Sequence, residues 1–170
     1  MADSINGASG AADPAQQAGG QQLPPLSITL QYVKDLSFEN PRAPHSFGNL
    51  SPSPEIGVDI NVEATRLQDN VFEVVLNIRA RAARGEEVFF IVELAYGGVC
   101  VVGNVPPQHV QPIVTIEGPR LLFPFARAIL ADAVRDGGFP PLLINPIDFA
   151  RLYQQNMEAQ QAASGPTATA

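Results

Sequence analysis

Apolar and polar positions alternate from Leu26 onward, with Leu26, Ile28, Leu30 and Tyr32 set against Ser27, Thr29 and Gln31. A period of two predicts a strand with one buried face, running over about Leu26–Phe38. The pattern then stops. Asn40-Pro-Arg-Ala-Pro-His-Ser-Phe-Gly-Asn-Leu-Ser-Pro-Ser-Pro54 is so rich in Pro, Gly, Asn and Ser that it reads as a loop. Alternation resumes in Ile56, Val58, Ile60 and Val62, which predict a second strand at Glu55–Arg66. Phe72, Val74, Leu76 and Ile78 predict a third at Val71–Ala82, and a fourth follows at Glu87–Val101. The turns Gln68-Asp-Asn70 and Arg84-Gly-Glu86 are too short for parallel crossovers, so the expectation is an antiparallel meander with a long first crossover loop. Within the fourth strand, Val88-Phe-Phe-Ile-Val92 is apolar on both faces. Something must cover its second face, and a partner subunit is the economical candidate.

Beyond the strands the period lengthens. Residues Pro119–Asp136 place Leu122, Ala126, Ile129 and Ala133 on one helical stripe, and Gly137-Gly138 stops the helix. Pro124 either starts its regular part or kinks it. A last helix is expected from Asn145-Pro-Ile-Asp148, with Asn145 as cap, Pro146 in the first helical position, and a stripe of Phe149, Leu152, Tyr153 and Met157. The predicted class is α+β: a four-stranded antiparallel sheet packed with two main C-terminal helices.

Composition trims the folded unit. Residues 1–22 and 159–170 carry too few large apolar side chains to offset ordering entropy and are expected to be disordered, leaving one domain at 23–158. The start, Met-Ala-Asp-Ser, has no basic stretch or apolar run of a signal peptide. No apolar segment approaches the ~20 residues that span a bilayer. A single cysteine, Cys100, suits a reducing compartment, and together these features point to the cytoplasm. Ten basic and seventeen acidic residues give a net charge of −7. That balance disfavours nucleic acid and anionic lipid and favours basic partners.

Candidate chemistry is sparse. His45, His109 and Cys100 are scattered and show no metal-ligand spacing. There is no Gly-x-Ser-x-Gly elbow, no phosphate loop and no dinucleotide fingerprint, since Gly97-Gly98 lacks the further glycine and helix start. Cys100, ending an apolar strand, reads as a buried structural thiol. The expectation is therefore a protein with no catalytic residues, no metal and no cofactor. What remains is recognition. Asp35 and Glu39 are four apart and face the same way on a regular strand, as do Ile91 and Glu93. Carboxylates beside apolar surface suit a partner that brings Lys or Arg and an apolar anchor; a merely solvated sheet face is the plain alternative.

Six motifs in order carry a family likeness over about Leu26–Met157. They are Tyr32-Val-Lys-Asp-Leu-Ser-Phe-Glu-Asn-Pro-Arg-Ala-Pro44, Val71-Phe-Glu-Val-Val-Leu76, Glu86-Glu87 leading to Gly97-Gly98, Leu122-Phe-Pro-Phe-Ala-Arg127, Gly138-Phe-Pro-Pro-Leu142 and Asn145-Pro-Ile-Asp-Phe149. The chain thereby resembles the SecB family of bacterial protein-export chaperones. The resemblance implies a tetramer made of two dimers that binds unfolded or slowly folding precursor proteins without ATP and delivers them to the SecA motor. It implies that SecA's zinc-containing C-terminal tail docks on Asp35, Glu39, Ile91 and Glu93, the zinc belonging to the partner. It also implies client binding in apolar grooves, for which Phe38, Phe47, Leu122, Phe123 and Phe125 are nominated. A tetramer would gather four charges of −7 into −28, favouring basic segments of unfolded chains. Glu117-Gly118 and the two tails depart from the family pattern. Two alternatives stand beside it: a SecB-like chaperone dedicated to a toxin–antitoxin pair, and a small-ligand or enzymatic sheet domain with Gly97–Gly103 as its mouth.

Overall fold

A computed structural model describes residues 24–48 and 51–163. Of the tails expected at 1–22 and 159–170, residues 1–22 and 164–170 lie outside the described residues, whereas 159–163 belong to the last helix. Strands β1 (Leu26–Glu39), β2 (Glu55–Gln68), β3 (Val71–Arg84) and β4 (Glu87–Val102) form one sheet in the order β1-β4-β3-β2. All three pairings are antiparallel. The meander is β2-β3-β4, and the long connection after β1 carries the chain across to β2 at the other edge. Asn70 and Gly85 supply the left-handed φ of 60° that the two tight turns need.

Two bulges in β1, at Thr29 and Lys34, change which side chains meet the core. Leu26 and Ile28 face the helices, as do Val33, Leu36 and Phe38. Leu30 and Tyr32, expected to share the face of Leu26 and Ile28, pair with Val99 and Gly97 on the outer face instead. The Tyr32 ring covers Gly97, where a Cβ would lie 2.7 Å from the ring.

The helix expected from Pro119 begins earlier, and the segment before Gly118 is helical too. Helix α1 (Pro107–Pro112), a π turn (Ile113–Glu117) and α2 (Gly118–Asp136) run without a break. Pro112, Pro119 and Pro124 each remove an amide from the ladder, and a π turn is one way a helix absorbs such rings. Gly118 and Gly98 let the rod sit on the sheet. A Cβ at Gly118 would be 3.1 Å from Val74 Cγ2, and one at Gly98 would be 2.7 Å from Leu122 Cδ2. The rod's buried stripe is Val114, Leu122, Ala126, Leu130 and Val134, rotated slightly from the predicted one; Ile129 and Ala133 are only half-buried. Fully burying a Leu such as Leu122 contributes about 2–3 kcal/mol.

Gly138, at φ +89°, ends α2 in a Schellman turn. Its amide donates to Arg135 O at 2.9 Å and that of Phe139 to Val134 O at 3.2 Å, which brings Phe139 against the core. Helix α3 (Phe149–Ala163) starts three residues later than Asn145-Pro146 suggested. Asp148, not Asn145, is its cap: Asp148 Oδ1 accepts from the Arg151 amide at 3.0 Å. Phe149 is buried and meets Phe123 edge-on at 5.9 Å.

Candidate functional site

The helix-free face of the sheet carries ordered rows of side chains, because residues paired across antiparallel strands point the same way. Asp35 lies beside Ala95, Asn77 and Asn61; Ser37 beside Glu93, Arg79 and Asp59; Glu39 beside Ile91, Arg81 and Gly57. Asp35, Glu93, Glu39 and Ile91 thus occupy three successive rows at the β1–β4 edge, with Ile91 half-buried among the carboxylates. Glu93 Oε1 is 3.0 Å from Arg79 Nε, while Asp35 and Glu39 take part in no ion pair or side-chain hydrogen bond among the described residues. A shallow cleft of 330 Å³ runs past Asp35, Asp59, Asn61, Arg79 and Glu93. The next rows hold a small network. The Tyr32 hydroxyl and Lys34 Nζ (2.9 Å) both donate to Glu73. The bond to Glu73, then burial, pushes the Tyr32 hydroxyl up to about 12. The same bond and Lys34 hold the Glu73 carboxyl below its usual range.

The opposite face has a different chemistry. Phe38, Phe90, Phe139 and Phe47 form an aromatic cluster at the C-terminal end of α2, with centroids 5.1–6.4 Å apart. Phe38 packs on Gly137 and Phe47 on Gly138. Beside the cluster a groove of 280 Å³ opens between Ser53, Pro54 and Ile56 on one side and residues 139–143 on the other. Ile56 is 48% and Leu143 80% exposed, so the groove is apolar and open to solvent.

The family model for preprotein translocase subunit SecB matches residues 19–160. The chain belongs to the SecB family. A protein-export protein SecB of Bradyrhizobium sp. (strain BTAi1) is 55% identical over 142 residues, covering 84% of this chain and 88% of the relative. One of Mesorhizobium japonicum is 49% identical over 164 residues, covering 96% of this chain and 97% of the relative. The fold is similar to that of a SecB-like chaperone of Mycobacterium tuberculosis, Rv1957, solved with a ChAD peptide from the Rv1956 HigA1 antitoxin. There the TM-score is 0.61 at 12% identity, over 72% of this chain and 90% of that one.

The structure brings the four residues nominated for SecA onto one surface, but it divides the five nominated for clients. Phe47 is exposed and Phe38 half-buried at the aromatic cluster. Leu122 and Phe123 are corrected: they are 0% and 7% exposed, turned toward the sheet and toward Phe149, and offer no surface to a client. Phe125 is exposed on the far side of α2, twelve residues before Gly137 and so about 18 Å from the cluster along the helix axis. The sequence reading missed Ile56, Phe139 and Leu143; the signal available was Gly138-Phe-Pro-Pro-Leu142, whose prolines hold a short apolar segment extended. The second face of β4 is also corrected in part, since Arg84 lies 5.2 Å over the buried Phe89 ring within the same chain. Gly97–Gly103 make no ligand mouth: Gly97 lies under Tyr32, Gly98 under Leu122 and Gly103 against Pro24 O. Cys100 is fully buried, and burial pushes its thiol up to about 11. Among the described residues no three His, Cys, Asp or Glu side chains are grouped to hold a metal, and no helix is long and apolar enough to cross a membrane.

Proposed function

We propose that this protein is a cytoplasmic protein-export chaperone. It binds unfolded or slowly folding precursor proteins without nucleotide, keeps them translocation-competent and delivers them to the SecA motor. The observation that carries this reading is the division of the sheet: carboxylates with Ile91 on one face, and an open aromatic groove beside the other. A client and the motor can then be held together without competing for the same atoms. Apolar side chains of an unfolded client fill the groove, where aromatic rings give large, sequence-tolerant contact. Asp35, Glu39 and Glu93 attract the basic residues around the zinc of SecA's tail, and Ile91 receives an apolar anchor. No bond is made or broken, so the protein acts by binding alone.

Assembly follows from what one chain leaves open. β1 is an edge strand whose helix-side Val33 and Leu36 are 47% and 43% exposed, and α2 presents Leu121 and Phe125 at 45% and 51%. Edges and apolar strips of this kind invite pairing, and two distinct interfaces build a dimer of dimers. Several grooves on one tetramer give avidity for a long client. Dedication to a toxin–antitoxin pair is the second reading, favoured by the antitoxin peptide on the mycobacterial neighbour. The unpaired carboxylates of Asp35 and Glu39 favour general export. Binding of a SecA tail peptide that is lost on Asp35→Lys/Glu39→Lys supports the export reading; absence of any SecA binding by the unaltered chain would leave the dedicated one.

A further inference from the structure

The described parts of the connection between β1 and β2, residues 40–48 and 51–54, are fastened by side chains at the adjoining ends of β3 and β4. Arg42, near its start, pairs with Glu87. The same carboxylate accepts from Arg84 Nη2 at 2.7 Å and Nε at 3.2 Å. Arg84 Nη1 donates to the carbonyls of Ser51 and Pro52, near the end of the connection, both at 3.2 Å. The guanidinium plane lies over Phe89, itself 1% exposed. Arg84 and Glu87 are each 28% exposed, against 55% and 47% for Arg79 and Glu93 on the outer face. Immediately after Ser51 and Pro52 come Ser53 and Pro54, one wall of the apolar groove.

We infer that Arg84, with Glu87 and Arg42, is a positioning element for client capture that holds this wall in place before a client arrives. The inference rests on the reading of the groove as the client site. Its physics is preorganisation. Phe47 is held at Gly138 and Ile56 lies in β2, but without Arg84 the groove wall at Ser53 and Pro54 would have to be ordered when the client binds, and that entropy would be subtracted from affinity. Arginine is required because its planar fork reaches a carboxylate and two carbonyls while lying on a ring; lysine, a point donor, cannot do all of these at once. The residues of the element need not touch the client.

The test uses the full-length protein with Arg84→Ala, Arg84→Lys and Arg42→Ala. The probes are a precursor held unfolded and, separately, a zinc-loaded SecA tail peptide. Arg84→Ala should raise the client dissociation rate about ten-fold with little change in association, since interface changes act mostly through dissociation. Arg84→Lys should recover only part of the loss, and Arg42→Ala, which leaves the Ser51 and Pro52 contacts intact, should give a smaller rise. Hydrogen exchange should quicken at residues 45–48 and at Ser51 and Ser53 but not along β3 and β4, and SecA peptide affinity should not move. Unchanged client dissociation despite faster exchange in the connection would overturn the inference. So would a parallel fall of both affinities and the melting temperature, which would make Arg84 merely structural. Should Arg84→Ala fail to fold, Arg84→Lys, which loses the fork to the Ser51 and Pro52 carbonyls, decides by the same readings. An unaltered chain that captures no unfolded precursor would overturn the groove assignment itself.

Discussion

Replacing Asp35 and Glu39 together by lysine reverses the β1 edge of the acidic surface and leaves the groove untouched. Both carboxylates are exposed, and neither takes part in an ion pair among the described residues, so the fold should lose no more than about 0.5 kcal/mol per site. The two lie four residues apart on a strand, about 13 Å, beyond the ~8 Å Debye length at physiological ionic strength. Their effects on a basic partner should therefore add. An exposed ion pair contributes about 0.5 kcal/mol, and reversal replaces attraction with repulsion of similar size. Each site then swings by about 1 kcal/mol, and the pair by about 2 kcal/mol, or roughly thirty-fold in Kd. Titration calorimetry with the zinc-loaded SecA tail peptide should show that loss, shrinking as salt is raised. The same variant should bind an unfolded precursor within about two-fold of the parent, since the altered side chains are on the far face of the sheet. Equal loss of both activities would refute the separation of the two surfaces.

Leu122→Ala should cost about 3 kcal/mol in urea unfolding, because the side chain is fully buried over Gly98; a client-binding defect without that loss of stability would contradict its place in the core. Cys100, with its thiol pushed up to about 11 by burial, should resist alkylation at pH 8 in the native protein and react promptly in denaturant. Rapid native labelling would count against the packing described here. Tyr32→Phe should cost about 1 kcal/mol by losing a partly exposed bond to a carboxylate. It should also flatten the pH profile of stability at both ends. The Glu73 contribution, from a folded pKa below the usual 4.5, is complete above that value and is lost as pH falls through the lowered one. The Tyr32 contribution is complete below pH 10 and lost as pH rises toward about 12. Identical profiles for parent and variant would remove the Tyr32–Glu73 bond from the account.

The strands were legible because period-two alternation and short turns leave little freedom: all four were foreseen to within two residues at each end. The two β1 bulges were not legible. Nothing in Ser27–Asp35 announces an unpaired residue, and each slip moves the following side chains to the other face. Asp35 and Glu39 both follow the second bulge, which is why their spacing read correctly. The helical rod was half-hidden because Pro107, Pro112 and Gly118-Pro119 are loop signals locally; burial of Val114 and the close approach at Gly118 override them. Phe38 and Phe123 look alike as residue types, but Phe38 lies on the edge strand β1 and stays half-buried, whereas Phe123 is enclosed against Phe149. Asn145 lost the capping position to Asp148 because residues 140–148 stay extended along the core, with Leu142 and Ile144 buried.

The central claim is capture of unfolded chains by an assembled form of this protein. It is tested most directly by mixing the purified full-length chain with one secretory precursor, first held unfolded and then allowed to fold, without nucleotide, and reading native mass on both samples. The account predicts a tetramer that retains the unfolded precursor and releases none to a nucleotide-free chase, while ignoring the folded form. Equal binding of both forms, or of neither, would contradict it.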